Sequence, residues 1–489
     1  MNPDQRAAVT PARELRIALA AVFAVAVIAA ALGIGVRATF GGHVAVDEPQ
    51  YVLTALSLAE DGDLDISDEL AERRWRVFFD RELPVQTAVL PGGRQVSPHD
   101  PLLPLLIAAP MGLGGWIAVK LTLSLLAGAL AALTLWVAVR RFRIGVRLAA
   151  VGVGLAAASA PLAVYGQQVY PELPAALLTV AGVAAVTGAR DRRHLALLAV
   201  AVTALPWLSV KYAAVAAALA AIGALSWWRA GQRRDAGVFA ATLALMGLAF
   251  LGVHQLVWGG WTAYATGDHF QQIGEFGVVG AEPNYAGRSV RLVGLLVDQG
   301  YGIVAWQPAW LLLLPALAAL AARRARYGLT LAAPLAAGYL VATFVALTMN
   351  GHWWPGRQLV VVLPLALLAI LVWLDGAGRG RRFIALALGV AGVVTYACLL
   401  IDGYAREITW VSGFEAVDAP LYQLVRPLLP NYRGDYLLLH LGWIAVFAAL
   451  AVLGWRSAGT SSRTPADPVV TPVIDAPLHP ATKGSTHDE

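Results

Sequence analysis

Residues 116–139 read WIAVKLTLSLLAGALAALTLWVAV, and Arg140, Arg141, Arg143 and Arg147 follow at once. About 20 apolar residues cross the hydrocarbon core of a bilayer as a helix, and this run is long enough. A barrel strand would instead alternate in character over about 10 residues. The rest of the chain repeats the pattern. Of its 489 residues 58% are apolar and only 14% charged, with a mean hydropathy of +0.64. Soluble domains carry roughly 25% charged residues, so these side chains cannot cover a globular surface. A soluble enzyme and a disordered protein are both excluded. The fold class expected is an all-α polytopic membrane protein.

Further runs of spanning length lie near 15–37, 148–164, 172–189, 194–210, 212–228, 237–258, 302–322, 328–349, 358–375, 383–402 and 438–455, which makes about twelve transmembrane helices. A shorter piece over 102–115, with Pro104 and Pro110, reads as a juxtamembrane or re-entrant helix. Arginine clusters fix the orientation. They fall at Arg6/Arg13/Arg16, Arg140 to Arg147, Arg190/Arg192/Arg193, Arg229/Arg233/Arg234, Arg323/Arg324/Arg326 and Arg379/Arg381/Arg382, at every second loop. The positive-inside rule then places these loops and both termini in the cytoplasm. The net charge of +5 needs no nucleic-acid partner for the same reason. The first apolar run has no convincing cleavage site and reads as a retained span. The one cysteine, Cys398, excludes a disulfide within the chain. A membrane domain over 1–455 is expected, followed by a disordered cytoplasmic tail over 456–489.

The opposite loops are chemically richer. Residues 38–100 hold 12 of the 31 acids and belong outside as the first extracytoplasmic loop. It opens with Asp47-Glu48-Pro49-Gln50-Tyr51 and continues in a period that resembles an amphipathic helix lying on the membrane. Pro49 suits the first turn, which puts both acids at the positive dipole end; one of them could simply cap the helix. The run Asp61-Gly62-Asp63-Leu64-Asp65 is similar to a calcium loop, but Ile66 stands where glycine is needed, so it reads as a solvated turn. The loop closes on His99-Asp100-Pro101, which could bind a metal, orient a hydroxyl or only end the loop.

Glu172 is the one acid in the connection 167–174 and stands at a membrane boundary, where a charge defaults to function. Lys211, Arg288, Arg291 and Arg357 break the positive-inside pattern; each could hold a lipid phosphate or snorkel to the interface. The densest cluster runs from Thr348 to Gln358 and includes His352, Trp353, Trp354 and Arg357. Its tryptophans, with Tyr301 and Trp306 farther back, could form an interfacial belt or line a sugar and phosphate site.

Taken together, Asp47-Glu48 with Tyr51, His99-Asp100-Pro101, Tyr170-Pro171-Glu172, Tyr301 to Pro308, and His352 to Arg357 resemble the C-type superfamily of integral-membrane glycosyltransferases. Within it the chain is similar to the protein mannosyltransferases and aminoarabinose transferases of bacteria, over most of residues 15–375. The resemblance implies a polyprenyl-phosphate-linked sugar as donor, a glycan, lipid or protein acceptor in the cell envelope, an inverting displacement, and a site facing outward from the cytoplasmic membrane. Asp47 then serves as general base, and Glu48 positions the acceptor or a cation. Lys211, Arg288, Arg291, His352 and Arg357 stabilise the leaving phosphate. Tyr51, Tyr301 and Trp354 bind substrate, and Glu172, His99 and Asp100 lie near the acceptor. The resemblance leaves room for a divalent metal ion and requires no nucleotide cofactor. The alternative is a transporter or flippase of lipid-linked sugars, whose ionisable groups belong near mid-membrane.

Overall fold

The structure is a computed structural model that describes residues 3–90, 92–263, 284–325, 327–346 and 348–458. The expected tail beyond residue 458, and residues 264–283 of the loop between the seventh and eighth spans, lie outside the described residues. In chain order the helices are α1 (Pro3–Leu32), α2 (Glu48–Glu60), α3 (Ser67–Ala71), α4 (Leu102–Arg140), α5 (Val146–Ala157), α6 (Leu162–Tyr165), α7 (Glu172–Val186), α8 (Arg192–Leu208), α9 (Ala213–Arg229) and α10 (Arg233–Trp258). Then come α11 (Tyr285–Arg288), α12 (Arg291–Val297), α13 (Ile303–Trp306), α14 (Leu313–Ala322), α15 (Gly328–Leu340), α16 (Leu363–Asp375), α17 (Arg379–Tyr404), α18 (Pro420–Val425) and α19 (Leu437–Ser457). One two-stranded hairpin, β1 (Ala88–Val89) with β2 (Gln95–Val96), lies in the loop between α3 and α4.

Each span expected from the sequence overlaps helical structure, but those over 148–164, 302–322 and 358–375 are divided into shorter helices. Among the described residues seven helices are long and apolar enough to cross a membrane, with shorter apolar helices at Val146–Ala157, Glu172–Val186, Pro308–Ala322 and Leu363–Asp375. The protein is an all-α polytopic membrane protein.

Two elements show how local chemistry sets the architecture. The helical run 102–140 breaks at Gly114 (φ −156°) and Gly115 (φ 61°, ψ −158°). The Gly115 conformation is one that only glycine adopts without strain. It separates the short helix expected over 102–115 from the span that follows.

The second element is α2. Every residue from Glu48 to Ser57 is buried, so the helix has no solvent-exposed polar face over that stretch, and it packs against α4. Several of its polar side chains have found partners inside the protein. Thr54 Oγ1 donates to the Gln50 carbonyl at 2.8 Å, and Ser57 Oγ to the Asp65 carbonyl at 2.8 Å and to Asp63 Oδ1 at 3.0 Å. Gln50 Oε1 is left buried without a partner.

Candidate active site

The first loop, the α6–α7 connection, the α8–α9 turn and the segment before α16 meet at one end of the bundle, opposite the arginine clusters. Asp47 is the N-cap of α2 but makes no side-chain cap bond. Its Oδ2 instead lies 2.8 Å from Arg357 Nη2. Arg357 Nε reaches Glu172 Oε1 at 2.9 Å, and Lys211 Nζ reaches the same oxygen at 2.7 Å. Two acids and two bases from four distant segments therefore form one continuous chain of ion pairs. Glu172 sits in the first turn of α7, where the helix dipole favours its charge. The face of the Tyr170 ring carries the Arg357 guanidinium at 4.0 Å, and Trp353 lies at 5.3 Å.

Two backbone features hold this arrangement. Val46, a β-branched residue directly before Asp47, has φ 58°; such strain clusters at functional sites and persists only where surroundings impose it. Gly356, directly before Arg357, has φ 82°, and a Cβ there would come within 2.6 Å of Ile303. The turn aiming Arg357 therefore admits only glycine.

Asp47 and Arg357 are 6% and 7% exposed and Glu172 is fully buried, while the Lys211 side chain at 22% links the chain to the surface. Burial is the largest influence on the Asp47 carboxyl and would raise it, but the charge and hydrogen bond of Arg357 together with the neighbouring His99 and Lys211 hold it below its usual value. His99 stacks on Tyr51 with ring centroids 4.6 Å apart. Burial holds its imidazole below the ordinary 6.5 although Asp47 pulls the other way, so the ring is neutral at pH 7.

Glu48 has a different job from Asp47. Its Oε2 accepts from the Ala45 amide at 2.8 Å and its Oε1 from the Val169 amide at 2.7 Å, while Tyr170 Oη donates to the Ala45 carbonyl at 3.3 Å. These bonds staple the first loop to the α6–α7 connection. Asp100 works likewise: Oδ2 accepts from the Val210 amide at 3.1 Å, and Oδ1 meets His254 Nε2 at 2.9 Å. His254 Nδ1 in turn faces the Phe250 carbonyl at 2.8 Å. Asp100 thereby fixes the turn that presents Lys211.

Other expected residues lie elsewhere. Arg288 donates to the Phe344 carbonyl and Arg291 to the Ala346 carbonyl at 2.8 Å, just beyond α15. Arg288 is 6% exposed and its Nη2 has no partner. Burial and the Arg288 charge push the Arg291 guanidinium down to about 10. Beside them an apolar cavity of about 730 Å³ runs from Leu292 along α14 and α15 to Arg324. Tyr301 and His352 line a second, polar cavity. Trp354, fully buried against Trp306, Trp410 and Phe414, is neither belt nor exposed stacking surface.

At the centre of the site the carboxylates are already paired, Asp47 with Arg357 and Glu172 with both Arg357 and Lys211, so a divalent cation there would have to displace these bases. On the loop, Asp61, Asp68 and Glu69 bring oxygens within 4.8 Å of one another, but Asp63 and Asp65 are used as turn caps.

Sequence reasoning passed over Lys120 and His254. Lys120 Nζ donates to Gln167 Oε1 at 3.0 Å, fully buried, and its charge acts on Glu48. A lone lysine inside a spanning run was a legible signal, since such residues default to function. Gln168 is buried with neither amide atom bonded, and Glu172 Oε2 is also without a partner. Unmet hydrogen-bonding capacity of this kind beside an ion-pair chain marks room for a ligand's hydroxyls or for water.

Neither a family model nor a curated protein matches the sequence. Among solved structures the chain is similar to ArnT from Cupriavidus metallidurans bound to undecaprenyl phosphate, with a TM-score of 0.48 and 16% identity, covering 90% of this chain and 76% of that one. ArnT from the same organism in the apo state gives a TM-score of 0.45 at 16% identity, covering 90% and 75%. Similarity at these levels assigns no residue a role.

Proposed function

We propose that this protein is a glycosyltransferase of the cytoplasmic membrane that moves a sugar from a polyprenyl-phosphate donor to a hydroxyl of an envelope acceptor, with inversion, on the extracytoplasmic side. The observation that carries this reading is the ion-pair chain Asp47–Arg357–Glu172–Lys211, built at the ends of helices rather than at mid-membrane. That placement favours an interfacial enzyme over a transporter.

In a single displacement the acceptor oxygen attacks the anomeric carbon and its proton passes to the Asp47 carboxylate. The bond from sugar to lipid phosphate breaks, and the phosphate leaves with the electron pair. Attack from the face opposite the leaving group inverts the anomeric centre. Arg357 keeps Asp47 ionised and aimed, and the hydroxyl becomes acidic enough to give up its proton only as the new bond forms. Within the chain the charges of Arg357 and Lys211 are balanced by Asp47 and Glu172, so these bases are not in surplus. Arg288, whose Nη2 has no partner, stands near the apolar cavity and suits the lipid phosphate better, with the prenyl chain along α14 and α15. Arg357–Leu359 packs against α15, which ties the two regions together.

The test uses full-length protein in nanodiscs with undecaprenyl-phosphate-linked arabinose, mannose or glucose and a cell-envelope extract as acceptor. Asp47→Asn is expected to lower kcat at least about 100-fold, the lower range for loss of a general base, with elution profile and helicity unchanged. Wild-type rates in that variant would remove the base assignment; no transfer by the wild type from any of the three donors would remove the enzyme.

A further inference from the structure

The polar cavity at the same end of the bundle, about 260 Å³, is a built site that the displacement above does not use. Its walls come from 298–301, 352, 411–415 and 422–433. Aromatic rings form one side. Phe414 meets the Tyr301 ring edge-on at 6.0 Å, and Tyr422 is stacked on the buried Trp306 at 4.5 Å, which fixes its plane. Trp354, 5.2 Å from Phe414, closes the cavity from behind. Tyr301, Phe414 and Tyr422 are only 9%, 5% and 2% exposed, so they form a rigid apolar wall against which the C–H side of a sugar can pack at little entropic cost.

Two guanidiniums supply the charge. Arg433 lies 5.1 Å over the Tyr301 ring with Nη2 3.4 Å from the Tyr301 hydroxyl, and Arg426 donates to the Glu415 carbonyl at 3.3 Å. Among the described residues neither forms an ion pair with a carboxylate. Two acids lie in the wall, Asp298 and Glu415. Asp298 is 3% exposed and its oxygens are engaged by the amides of Gly300 at 2.9 Å, Tyr301 at 2.6 Å and Tyr432 at 3.2 Å. Glu415 is exposed to solvent. Arginine with capacity to spare beside aromatic faces is the chemistry that holds a planar anion on a sugar ring.

The cavity is joined to the ion-pair chain by one short segment. Tyr301 Oη donates to the Gly351 carbonyl at 2.6 Å, His352 stands at the cavity wall, and Arg357 follows five residues later. We propose that this cavity binds a saccharide unit bearing an anionic group, a carboxylate or a phosphate, as a remote unit of the acceptor glycan. As an acceptor subsite it rests on the transferase reading; as a saccharide site it does not.

The test measures binding, so the two ideas fail separately. Full-length protein in nanodiscs is titrated with methyl β-glucuronide, methyl β-glucoside, glucose 6-phosphate and inorganic phosphate, read by saturation-transfer difference NMR. The two anionic sugars are expected to bind about tenfold more tightly than the glucoside, the worth of one charge-assisted hydrogen bond. Inorganic phosphate, lacking a ring to stack, should displace them poorly. Arg426→Gln with Arg433→Gln should erase the anionic preference and leave glucoside binding as it was. Arg433→Lys, which keeps the charge, should retain part of it and serves as the folding control. Asp47→Asn should change neither affinity. Equal binding of glucuronide and glucoside by the wild type, an anionic preference surviving in the double glutamine variant, or loss of sugar binding in Asp47→Asn would each overturn the proposal. Binding without transfer would sink the acceptor role alone.

Discussion

Arg357 is the side chain on which the site turns, because one guanidinium serves two carboxylates through different nitrogens. A lysine is a point charge and cannot span that fork. Arg357→Lys should therefore keep the fold but release one of the two acids, and kcat should fall more than binding does. Arg357→Ala leaves both acids buried without their shared partner, a loss of about 3–5 kcal/mol for a buried pair, and is expected to lower the melting temperature sharply. The same pairing fixes a pH dependence. Asp47 titrates below its ordinary 3.8 in the folded protein. Its contribution to stability is complete above that value and is lost as pH falls through the lower, folded one. Melting temperatures of the wild type in nanodiscs should thus decline on acidification below about pH 4. Asp47→Asn should flatten that limb, and an unchanged limb would mean that Asp47 does not carry the charge assigned to it.

Elements place these residues by their ends. Asp47 precedes α2, Glu172 opens α7, Lys211 lies in the turn before α9 and Arg357 in the turn before α16. The break in α4 is what lets α2 and the short helix over 102–113 pack under the first loop. At Gly115 a Cβ would meet nothing within 4 Å, so substitution there tests backbone conformation alone. Gly115→Ala should cost about 1–3 kcal/mol, the range for a residue forced into such a region, read as a lowered melting temperature. No change would show that the α4 break is not held in this conformation. The period in 51–60 was legible in the sequence, yet its consequence was not. An alternating polar face describes a helix at an interface equally well whether water, lipid or another part of the chain completes it.

At the scale of the molecule, the arginine clusters and the ion-pair chain occupy opposite ends, and the proposed orientation follows from that separation. In a Cys398→Ala background, His352→Cys should react with a membrane-impermeant maleimide in intact cells. Arg147→Cys, whose parent side chain is 94% exposed, should react only after the membrane is opened. The reverse pattern would invert the topology and place the site on the cytoplasmic face.

Helix content and the all-α membrane class were legible in the sequence, because each follows from local composition. A run of about 20 apolar residues has no alternative in a bilayer but a helix, and an arginine beside it is retained on one side. Asp47, Glu172, Lys211 and Arg357 also stood out in the sequence as charges out of place. Which of them touch was decided by tertiary structure alone. Glu48 and Asp47 are neighbours in the chain, yet one holds two backbone amides and the other an arginine 310 residues away. Contacts at such separations depend on how helices pack and where loops return, and no spacing in the sequence encodes them. The division of Arg288 and Arg291 from Arg357, and the cavity lined by Arg426 and Arg433, belong to that second kind of information.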